Sequence, residues 1–415
     1  MPFTITNNVA EFNVYEGAKI NYSHGQTGSD EIWIKPADLL FQSNIREQDT
    51  VCTNDHGYKT FFNTGGDLGF DLFSASFYLI TRYEEYLPYN KDIYGRYAHE
   101  NSLAFKENFL QLPLINIWLK HFRLLVRQRF PQLELREPAF VFLPTYDIDM
   151  AWSYKNKGLI RNMGGFFKDM LNGRFNLVKE RYAVLQNKME DPFASFNWLH
   201  DFHDIYHLSP VYFFLVAKKN GIYDKNIDPA LPSMQQLIKQ HAEKYLVGIH
   251  PSWQSGDSKD GIINEKEVLE NIVSQKVVYS RQHYIRFHFP QTARRLIEAG
   301  IKHDFSMGYG SINGFRASVA STYPWYDLEN ENQTNLMIHP FCFMEANAYY
   351  EQKISSAEAM DELKFFTYQL QQVGGTMITI WHNNFLGSSS QFKNWKDIYQ
   401  QWVSEVIAFR QAVIQ

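Results

Sequence analysis

Short apolar runs and helical apolar periodicities alternate along the chain from Ala139 onward. Strands are predicted from consecutive apolar residues, and helices are predicted where apolar residues recur three and four positions apart. The predicted strands are AFVFLPTYD, PVYFFLVA, LVGIHPS, VVYSRQHYIRF, NLMIHPF and TMITIWHNN. The predicted helices are FASFNWLHDFHDIYH, SMQQLIKQHAEKY, NEKEVLENIVSQ, PQTARRLIEAG, SSAEAMDELKFFTYQLQQVGG and NWKDIYQQWVSEVIAF. Repeated strand–helix units predict an α/β fold with a parallel sheet, and about six or seven units favour a barrel over a flat sheet.

Three of these helices carry signals at their ends. Asn264 and Glu267 have the spacing of a capping box, and so do Ser355 and Glu358. The helix PQTARRLIEAG has proline at its start and glycine at its end, which is the usual asymmetry of helix termini. These signals predict where the helices begin and end.

The first third of the chain has a different pattern. Residues 1 to about 65 predict short strands and loops, among them EFNVYEG and EIWIKPADLLF. Two helices follow, in DLFSASFYLITRYEEYLP and PLINIWLKHFRLLVRQRFP, and each is expected to stop at its closing proline. The polar segment QLELREP comes next. We therefore predict a smaller N-terminal α+β accessory domain, residues 1–138, and a barrel domain, residues 139–415.

Composition narrows the class of protein. The 415 residues are 45% hydrophobic and 20% charged, with a formal net charge of -5, and no Lys/Arg block is present. A nucleic-acid-binding surface is therefore not expected. Cys52 and Cys342 lie far apart, which argues against a disulfide scaffold or a cysteine zinc site. The N-terminal stretch lacks the features of a secretory signal, and no apolar stretch is long enough to span a bilayer. We expect a cytoplasmic protein whose oligomeric state the sequence leaves open.

Polar residues with useful chemistry follow four of the predicted strands. In barrels and in open parallel sheets, the active site lies at the C-terminal ends of the strands. Each of these residues alone could be a structural partner of a neighbouring group, but four strands end in the same way. We therefore expect the side chains to meet on one rim. They are Asp147, Asp149, His250, Arg281, His283 and His382.

The first of these strands carries two acids that are separated by one residue. Side chains two positions apart point to the same face of a strand, so Asp147 and Asp149 would lie side by side. Two adjacent carboxylates repel each other unless a cation or a proton lies between them. A divalent metal resolves this, and His250 offers a nitrogen ligand that suits zinc or another first-row metal. The second acid could then take a proton from the metal-bound water, and His382 could protonate a leaving group.

Four motifs, in this order, resemble those of the polysaccharide deacetylase superfamily, the NodB-type carbohydrate esterases. TYDID stands where that family has Thr-Phe-Asp-Asp, HPSWQ stands at its second motif, RQHY at its Arg-x-Pro-Tyr motif, and ITIWHN at its last motif. The resemblance covers residues 139 to about 390 and implies a distorted (β/α)₇-type barrel. The segment FYLITRYEEYLPYNKDIYGRYAHENS is similar to an N-terminal region attached to an uncharacterised bacterial subgroup of these proteins.

The resemblance also implies a reaction and roles for individual residues. The family removes an acetyl group from an amide or ester on a sugar, with a divalent metal, here expected to be zinc. By this resemblance Asp147 is the general base, Asp149 and His250 are metal ligands, Arg281 orients the base, and His382 is the general acid. A carbohydrate or glycan is the implied substrate.

The sequence departs from the family pattern at two places. Ile148 separates the two acids, and Gln254 stands where the family has a second histidine ligand. An amide is a poor ligand for a transition metal compared with imidazole. Either another residue completes the site, with His283 as the candidate, or the metal has been lost.

Further residues are candidates for contact with a sugar, on whose faces aromatic rings stack. The loop SMGYGSINGFRAS is predicted either to cover the rim, with Arg316 available for an anionic substituent, or to be an ordinary surface loop. Glu345 is a further candidate for the rim. The substrate-binding residues predicted from the sequence are Trp253, Tyr284, Arg316 and Trp381.

Two other functions remain open at this stage. A deacetylase-like protein that has lost catalysis could bind carbohydrate or act as a scaffold, and Gln254 motivates this hypothesis. Alternatively, an Asp-x-Asp sequence after a strand can hold a metal and a sugar nucleotide, as in a glycosyltransferase. That hypothesis does not require His250 and His382 on the same rim.

Overall fold

The computed structural model describes residues 3–54, 57–219 and 221–414. The N-terminal part of the chain contains a two-stranded parallel sheet and several helices. Its elements are α1 (Val9–Val14), β1 (Lys19–Tyr22), β2 (Glu31–Ile34), α2 (Leu72–Ile80), α3 (Leu103–Lys106) and α4 (Leu114–Arg129). The mixture of short strands and helices agrees with the predicted α+β character. The prediction of short strands and loops over residues 1 to about 65 is wrong at EFNVYEG, whose first four residues belong to the helix α1.

A nine-stranded sheet forms the larger part of the molecule. Its strands in chain order are β3 (Phe140–Ile148), β4 (Val211–Phe214), β5 (Leu246–Ile249), β6 (Tyr279–Ser280), β7 (His303–Met307), β8 (Tyr323–Asp327), β9 (Asn332–Pro340), β10 (Phe343–Met344) and β11 (Gly375–His382). Their order across the sheet is β10-β11-β3-β4-β5-β6-β7-β9-β8. Only β8 is antiparallel to its neighbour among these described strands. The predicted α/β fold, a distorted barrel with a parallel sheet, is confirmed.

Helices connect the strands and cover one face of the sheet. They are α5 (Gly158–Leu171), α6 (Phe175–Leu185), α7 (Phe196–Tyr206), α8 (Pro232–Lys244), α9 (Lys259–Val273), α10 (Gln291–Glu298), α11 (Ser356–Val373) and α12 (Trp395–Ile414). The capping box of Ser355 and Glu358 is confirmed at the start of α11. The one predicted at Asn264 is wrong, because α9 begins a turn and a half earlier, where Ser258 accepts a bond from the backbone of Gly261.

The structure contains two helices that the sequence did not predict, and one of the predicted strands is shorter than expected. Helices α5 and α6 form an insertion between β3 and α7 that the apolar pattern did not reveal. The strand VVYSRQHYIRF shortens to β6, because the chain turns into a 3-10 helix, His283–Ile285, in which Tyr284 and Ile285 have φ of 57° and 55°. Positive φ is costly for residues with side chains, so this conformation is held by its surroundings.

Alternation along the strands sorts the buried side chains into two hydrophobic clusters. The cluster on the helix side includes Tyr146 and Ile148 of β3 together with residues of the covering helices. The cluster on the other face lies inside the curve of the sheet, and its residues come from strands, loops and the 3-10 helix that holds Ile285. Its buried members are Val211, Phe213, Ile285, Phe305, Phe341, Met344, Ile378 and Ile380. Asp147 shares the inner face, so its carboxylate lies above an apolar layer.

The N-terminal part is joined to the barrel by a buried ionic cluster. Glu85 accepts hydrogen bonds from Arg82 Nε (2.7 Å), from Arg316 Nε (2.9 Å) and from Arg316 Nη2 (2.5 Å). Arg82 also donates to Glu84 (2.6 Å) and to the backbone carbonyl of Arg316. Burial alone would raise the pKa of Glu85, but the two guanidiniums outweigh it and hold that pKa below its ordinary value. Burial raises the pKa of Glu84, so the cluster favours the charged form of Glu85, whose bonds to Arg82 and Arg316 tie the two parts together.

The same cluster corrects the prediction for Arg316. Its guanidinium is buried, with 3% of the residue exposed, and it is occupied by Glu85 and by the carbonyls of Phe287 and Gly308. It is therefore not the exposed residue that was expected to meet an anionic sugar substituent. The predicted domain boundary near 138 stays a prediction, since a single hydrophobic cluster contains residues from both sides of it. Among the described residues, no helix has the length and apolar character needed to cross a bilayer.

Replacement of Glu85 by alanine should destabilise the protein strongly. The change leaves Arg82 and Arg316 buried without their shared counter-charge, which typically costs about 3–5 kcal/mol. Urea unfolding measures the free energy of unfolding. Glu107→Ala is the matched control, because its pair with Lys59 (2.9 Å) is partly exposed and should be worth about 1 kcal/mol or less. Equal losses in the two variants would contradict this account.

Candidate metal and catalytic site

The residues predicted at the strand ends meet at one rim of the sheet. Asp147 and Asp149 follow each other at the end of β3, and His382 at the end of β11 pairs in register with Asp147. His250 follows β5, while Arg281 and His283 follow β6. The parallel order of these strands places all of their C-terminal ends on the same side, as the sequence analysis expected.

Asp149 lies at the centre of the cluster and contacts three imidazoles. Its Oδ1 lies 3.1 Å from His250 Nε2, and its Oδ2 lies 3.3 Å from His283 Nε2 and 3.4 Å from His382 Nε2. The side chain is partly exposed, so the cluster is open to solvent at its mouth. Ile148 packs on the opposite face, in the helix-side cluster, so the one-residue spacing does keep both acids on one side of the strand.

Three of these residues have the composition of a metal site. Asp149, His250 and His283 each offer one ligand atom, and these atoms lie within 4.8 Å of one another. Asp149 Oδ1 is buried and has no well-formed hydrogen bond. One carboxylate oxygen and two imidazole nitrogens are ligands that suit zinc. The residues present therefore fit a divalent metal ion.

The two imidazoles of this set are oriented through their other nitrogen. His250 Nδ1 donates to the carbonyl of Arg281 (2.6 Å), and His283 Nδ1 donates to Asp224 Oδ1 (2.9 Å). Both contacts leave the Nε2 atoms directed at Asp149. Metal-binding histidines in proteins are usually fixed in this way, which sets the tautomer and the ring orientation.

Sequence reasoning missed Asp224. It lies in the loop after β4 and is buried, and it also accepts a bond from the backbone of Trp253 (3.0 Å). The strand-end rule that found the other residues applies equally to the loop after β4. The signal was therefore present, but the acid stands ten residues beyond the strand, at a distance where sequence alone does not show which way a loop folds.

The pKa values of the cluster reflect close opposite charges. Burial would raise the pKa of Asp149, but the nearby His283 and His382 outweigh it and hold that pKa well below its usual value. Burial would lower the pKa of His283, but Asp149 and Asp224 raise it to about 9. Protons on these imidazoles therefore compete with a metal ion, since an imidazole must be neutral to bind one.

Asp147 is held by a buried arginine. Arg281 Nη1 donates to Asp147 Oδ1 (2.8 Å), and Arg281 Nε donates to the carbonyl of Phe305 (3.0 Å). The guanidinium lies 4.4 Å from the centre of the Phe213 ring. Asp147 Oδ2 lies 3.8 Å from His250 Nε2 and accepts no bond from Arg281. One oxygen of Asp147 is thus fixed, and the other faces the cluster.

His382 is held by Glu345 in a similar way. Its Nδ1 donates to Glu345 Oε1 (2.6 Å), and its backbone N–H donates to the same oxygen (2.7 Å). Glu345 is fully buried. Burial would lower the pKa of His382, but Glu345 and Asp149 outweigh it and raise that pKa well above its ordinary value. The raised pKa favours the protonated imidazole, whose Nε2 faces Asp149.

Gln254 takes no part in the cluster. It is exposed and precedes the short helix Ser255–Asp257. At a different strand end, His283 lies beside Asp149, so it remains the candidate for the ligand that the sequence lacks at position 254.

Aromatic rings line the rim beside His283. The Tyr284 ring lies 4.8 Å from His283, and the Tyr94 ring, from the N-terminal part, lies 5.2 Å from Tyr284. Arg96 Nη1 donates to the carbonyl of Tyr284 (2.8 Å), in the segment with positive φ. The N-terminal part therefore contacts the segment that carries a candidate ligand, a contact that no sequence pattern indicated.

Two residues predicted to bind a sugar face other groups. Trp253 lies between the ring of Tyr223 (3.9 Å) and the guanidinium of Arg286 (3.9 Å), and two groups at this distance must occupy opposite ring faces. Trp381 is fully buried against Tyr399 of α12 (4.7 Å). It points to the helix side because it precedes His382 by one residue, and side chains alternate along a strand. Of the four predicted substrate-binding residues, only Tyr284 therefore remains a candidate for contact with a substrate beside the cluster.

Comparison with known proteins gives similarity in fold. Residues 1–131 match a family of unknown function, DUF7033. A Mycobacterium smegmatis protein named as a polysaccharide deacetylase has 12% identity and a TM-score of 0.42, over 66% of this chain and 86% of that one. A Bacillus cereus polysaccharide deacetylase has 9% identity and a TM-score of 0.32, over 65% of this chain and 88% of that one. A Bacillus anthracis pseudoenzyme of the CE4 family has 7% identity and a TM-score of 0.31, over 65% of each chain. No curated protein matches the chain.

Gly248 allows the hydrophobic cluster on the inner face of the sheet, below Asp147, to pack closely. A Cβ atom at this position would lie 2.6 Å from the Phe213 ring and 2.9 Å from the backbone oxygen of Tyr279. Both distances are too short for real contacts, and Phe213 supports Arg281. The absence of a side chain on β5 is therefore a requirement of the packing under the site.

Gly248→Ala should lower the free energy of unfolding by about 1–3 kcal/mol, because overpacking forces the strand or the ring to move. Thermal or urea unfolding measures the change. Gly164→Ala in α5 is the control, since its Cβ would meet nothing within 4 Å and alanine favours a helix by about 0.5–1 kcal/mol. A stabilising effect at both positions would contradict the packing argument.

Proposed function

We propose that this protein is a metal-dependent hydrolase that removes an acetyl group from a carbohydrate. The observation that carries the proposal is a possible metal-ligand set that lies between a carboxylate and a protonated imidazole. The ligands are Asp149, His250 and His283, the carboxylate is Asp147, and the imidazole is His382. The similarity in fold to polysaccharide deacetylases agrees with this chemistry but does not identify the substrate.

The metal would be held by one oxygen and two nitrogens of the protein. Three protein ligands leave positions open, as catalytic zinc sites do. A bound divalent ion would polarise the carbonyl of the acetyl group and lower the pKa of a water molecule. Asp224 and the carbonyl of Arg281 would hold the Nδ1 protons of the two imidazoles and so keep each Nε2 aimed at the ion.

Asp147 would act as the general base. Its Oδ2 faces the cluster and can accept a proton from the attacking water, while Arg281 keeps the carboxylate in one orientation. Attack of the water breaks the bond between the acetyl carbon and the sugar nitrogen or oxygen, so the products are acetate and the free amine or hydroxyl.

His382 would act as the general acid. It carries a proton before the reaction, because Glu345 stabilises the imidazolium. Nε2 gives this proton to the leaving nitrogen or oxygen of the sugar, whose expulsion as an anion would otherwise be unfavourable. Glu345 lies on the other side of the ring and keeps Nε2 directed at the cluster.

The carbohydrate assignment is supported by the rings beside His283. Tyr284 and Tyr94 lie on the rim, and both are only partly buried. Aromatic rings of this kind pack against the apolar faces of sugars while the hydroxyl groups bond at the ring edges. Tyr94 would give the N-terminal part a place in substrate binding.

A non-catalytic carbohydrate-binding protein is the second candidate. The observation that favours it is the direct contact of Asp149 with three imidazoles, which can satisfy the carboxylate without a metal when they are protonated. The glycosyltransferase hypothesis is disfavoured, because Asp147 of the Asp-x-Asp sequence is buried and paired with Arg281.

Removal of a ligand should abolish tight zinc binding. We expect Asp149→Ala and His283→Ala to weaken zinc affinity by about a hundredfold or more, measured by calorimetry with a competing chelator. Asp224→Asn should weaken it about ten- to hundredfold, as is typical when the partner of a ligand is lost. Gln254→Ala is the control and should bind zinc as the wild type does. Zinc binding that survives Asp149→Ala, or that the wild type lacks, would reject the proposed site.

Asp147→Asn should reduce the rate without removing the metal. The amide cannot accept the proton, so acetate release from N- or O-acetylated oligosaccharides should fall about 10²- to 10⁴-fold. Zinc content should stay equal to that of the wild type. Asp260→Asn, exposed on α9, is the control and should keep full activity. A wild-type protein that binds zinc and oligosaccharides yet releases no acetate would favour the non-catalytic candidate.

A further inference from the structure

Helices α5 and α6 form a hairpin with a buried polar contact between them; we call it the insertion hairpin. Arg181 of α6 lies between the helices, where it donates to Asp169 Oδ2 (2.8 Å) and to Asn162 Oδ1 (3.1 Å) of α5. The same guanidinium lies 4.5 Å from the centre of the Tyr154 ring. The contact between the two helices therefore includes an ion pair and an amide, beside the buried Val184.

The apolar side chains of the insertion hairpin lie on its outside. Ile160 is 88% exposed, Leu171 is 84% exposed and Leu159 is 76% exposed. The other large apolar residues exposed on or beside the hairpin are Met163, Phe167, Met170, Phe175, Tyr182, Leu185 and Met189. Scattered exposed apolar residues are normal, but a contiguous set of this size on a folded protein marks a surface that binds something.

On α5 these residues form one stripe. Leu159, Ile160, Met163, Phe167, Met170 and Leu171 recur mostly at spacings of three and four, which places them on the same side of a helix. The side facing α6 holds the polar contacts of Asp169 and Asn162. The stripe is therefore not the face that carries these contacts within the hairpin, and its side chains are 40–88% exposed.

The insertion hairpin is also basic in an acidic protein. Residues 153–190 contain eight Lys and Arg but three Asp and Glu, whereas the whole chain has a net charge of -5. Lys168 and Lys179 are exposed, as are Arg174 and Lys188. Of the three acids, Asp169 is already paired with Arg181. The surface around the stripe is therefore positively charged.

The base of the insertion hairpin is fixed to the mouth of the site. Arg161 donates to the carbonyls of Lys225 (2.8 Å) and Asn226 (3.3 Å), in the loop that carries Asp224. At the other end, Asp191 accepts bonds from the backbone of Tyr154 (2.8 Å) and Lys155 (2.9 Å). The orientation of the exposed stripe is thus set relative to the rim, and the stripe is not a frayed segment.

We propose that the insertion hairpin docks the protein onto the surface of a bilayer that contains anionic lipids. The apolar stripe would enter the boundary between headgroups and acyl chains, and the cationic side chains would meet the lipid phosphates. Charge complementarity selects this occupant over a second copy of the chain, since the same basic hairpin would repel itself across a symmetric interface. The inference does not depend on the proposed activity of the site.

The test is sedimentation of the full-length protein with lipid vesicles. We expect the wild type to bind vesicles of phosphatidylglycerol and phosphatidylcholine, to bind pure phosphatidylcholine more weakly, and to be released by salt. Ile160→Ser combined with Leu171→Ser should reduce the partition coefficient about tenfold or more, because two apolar side chains no longer enter the lipid. Lys168→Glu combined with Lys179→Glu should reduce binding to the anionic vesicles selectively.

The matched control carries Ile93→Ser and Ile205→Ser, at positions that are 89% and 69% exposed outside the hairpin. All variants should keep the wild-type melting temperature, since none of these side chains is buried. The proposal is overturned if the wild type binds neither kind of vesicle, or if the control loses as much binding as the hairpin variant. Equal binding to both vesicle types would reject the anionic-lipid assignment. A dimer that the Ile160/Leu171 change dissociates, without vesicle binding, would show that a second copy covers the stripe.

Discussion

The ion pair between Arg281 and Asp147 is the interaction on which the candidate site depends. The two residues are 134 positions apart and are both buried, so neither charge is tolerable without the other. Arg281 also accepts a bond from His250 at its backbone carbonyl, and His283 follows two residues later. One residue thus orients Asp147, fixes the tautomer of His250 and starts the turn that delivers His283. Its guanidinium rests on Phe213, which fits only because Gly248 lacks a side chain.

A second buried ionic cluster, around Glu85, has the corresponding role between the N-terminal part and the barrel. Arg96, also in the N-terminal part, lies near the rim. Its hydrogen bond to the carbonyl of Tyr284 supports a backbone conformation with positive φ that is unfavourable on its own. Strained backbone next to a functional residue persists only when its surroundings enforce it. The N-terminal part is therefore more than an appended unit, because it contributes both a support and an aromatic ring to the neighbourhood of His283.

Most of the strands and most of the rim residues could be predicted from the sequence, since apolar runs report strands and polar residues at their ends report a rim. The failures have separate physical causes. Arg316 and Trp381 were taken as substrate contacts because of their residue types, but Glu85 neutralises the first and strand alternation turns the second into the helix layer. Asp224 was missed because it reaches His283 from a loop. The insertion hairpin was missed because its apolar residues face outward, so its pattern does not describe a core.

By itself the sequence determined the parallel α/β framework and the alignment of Asp147 and Asp149 on one face, because alternation and apolar runs are local properties of a strand. It also determined which strands end in groups that bind metals or move protons. Only the tertiary structure decided that His283 rather than Gln254 stands beside Asp149 and His250, since that choice depends on how the chain turns after β6. The tertiary structure likewise decided which charged residues are paired and buried, because the partners in such a pair can lie more than two hundred positions apart in the sequence, as Glu85 and Arg316 do.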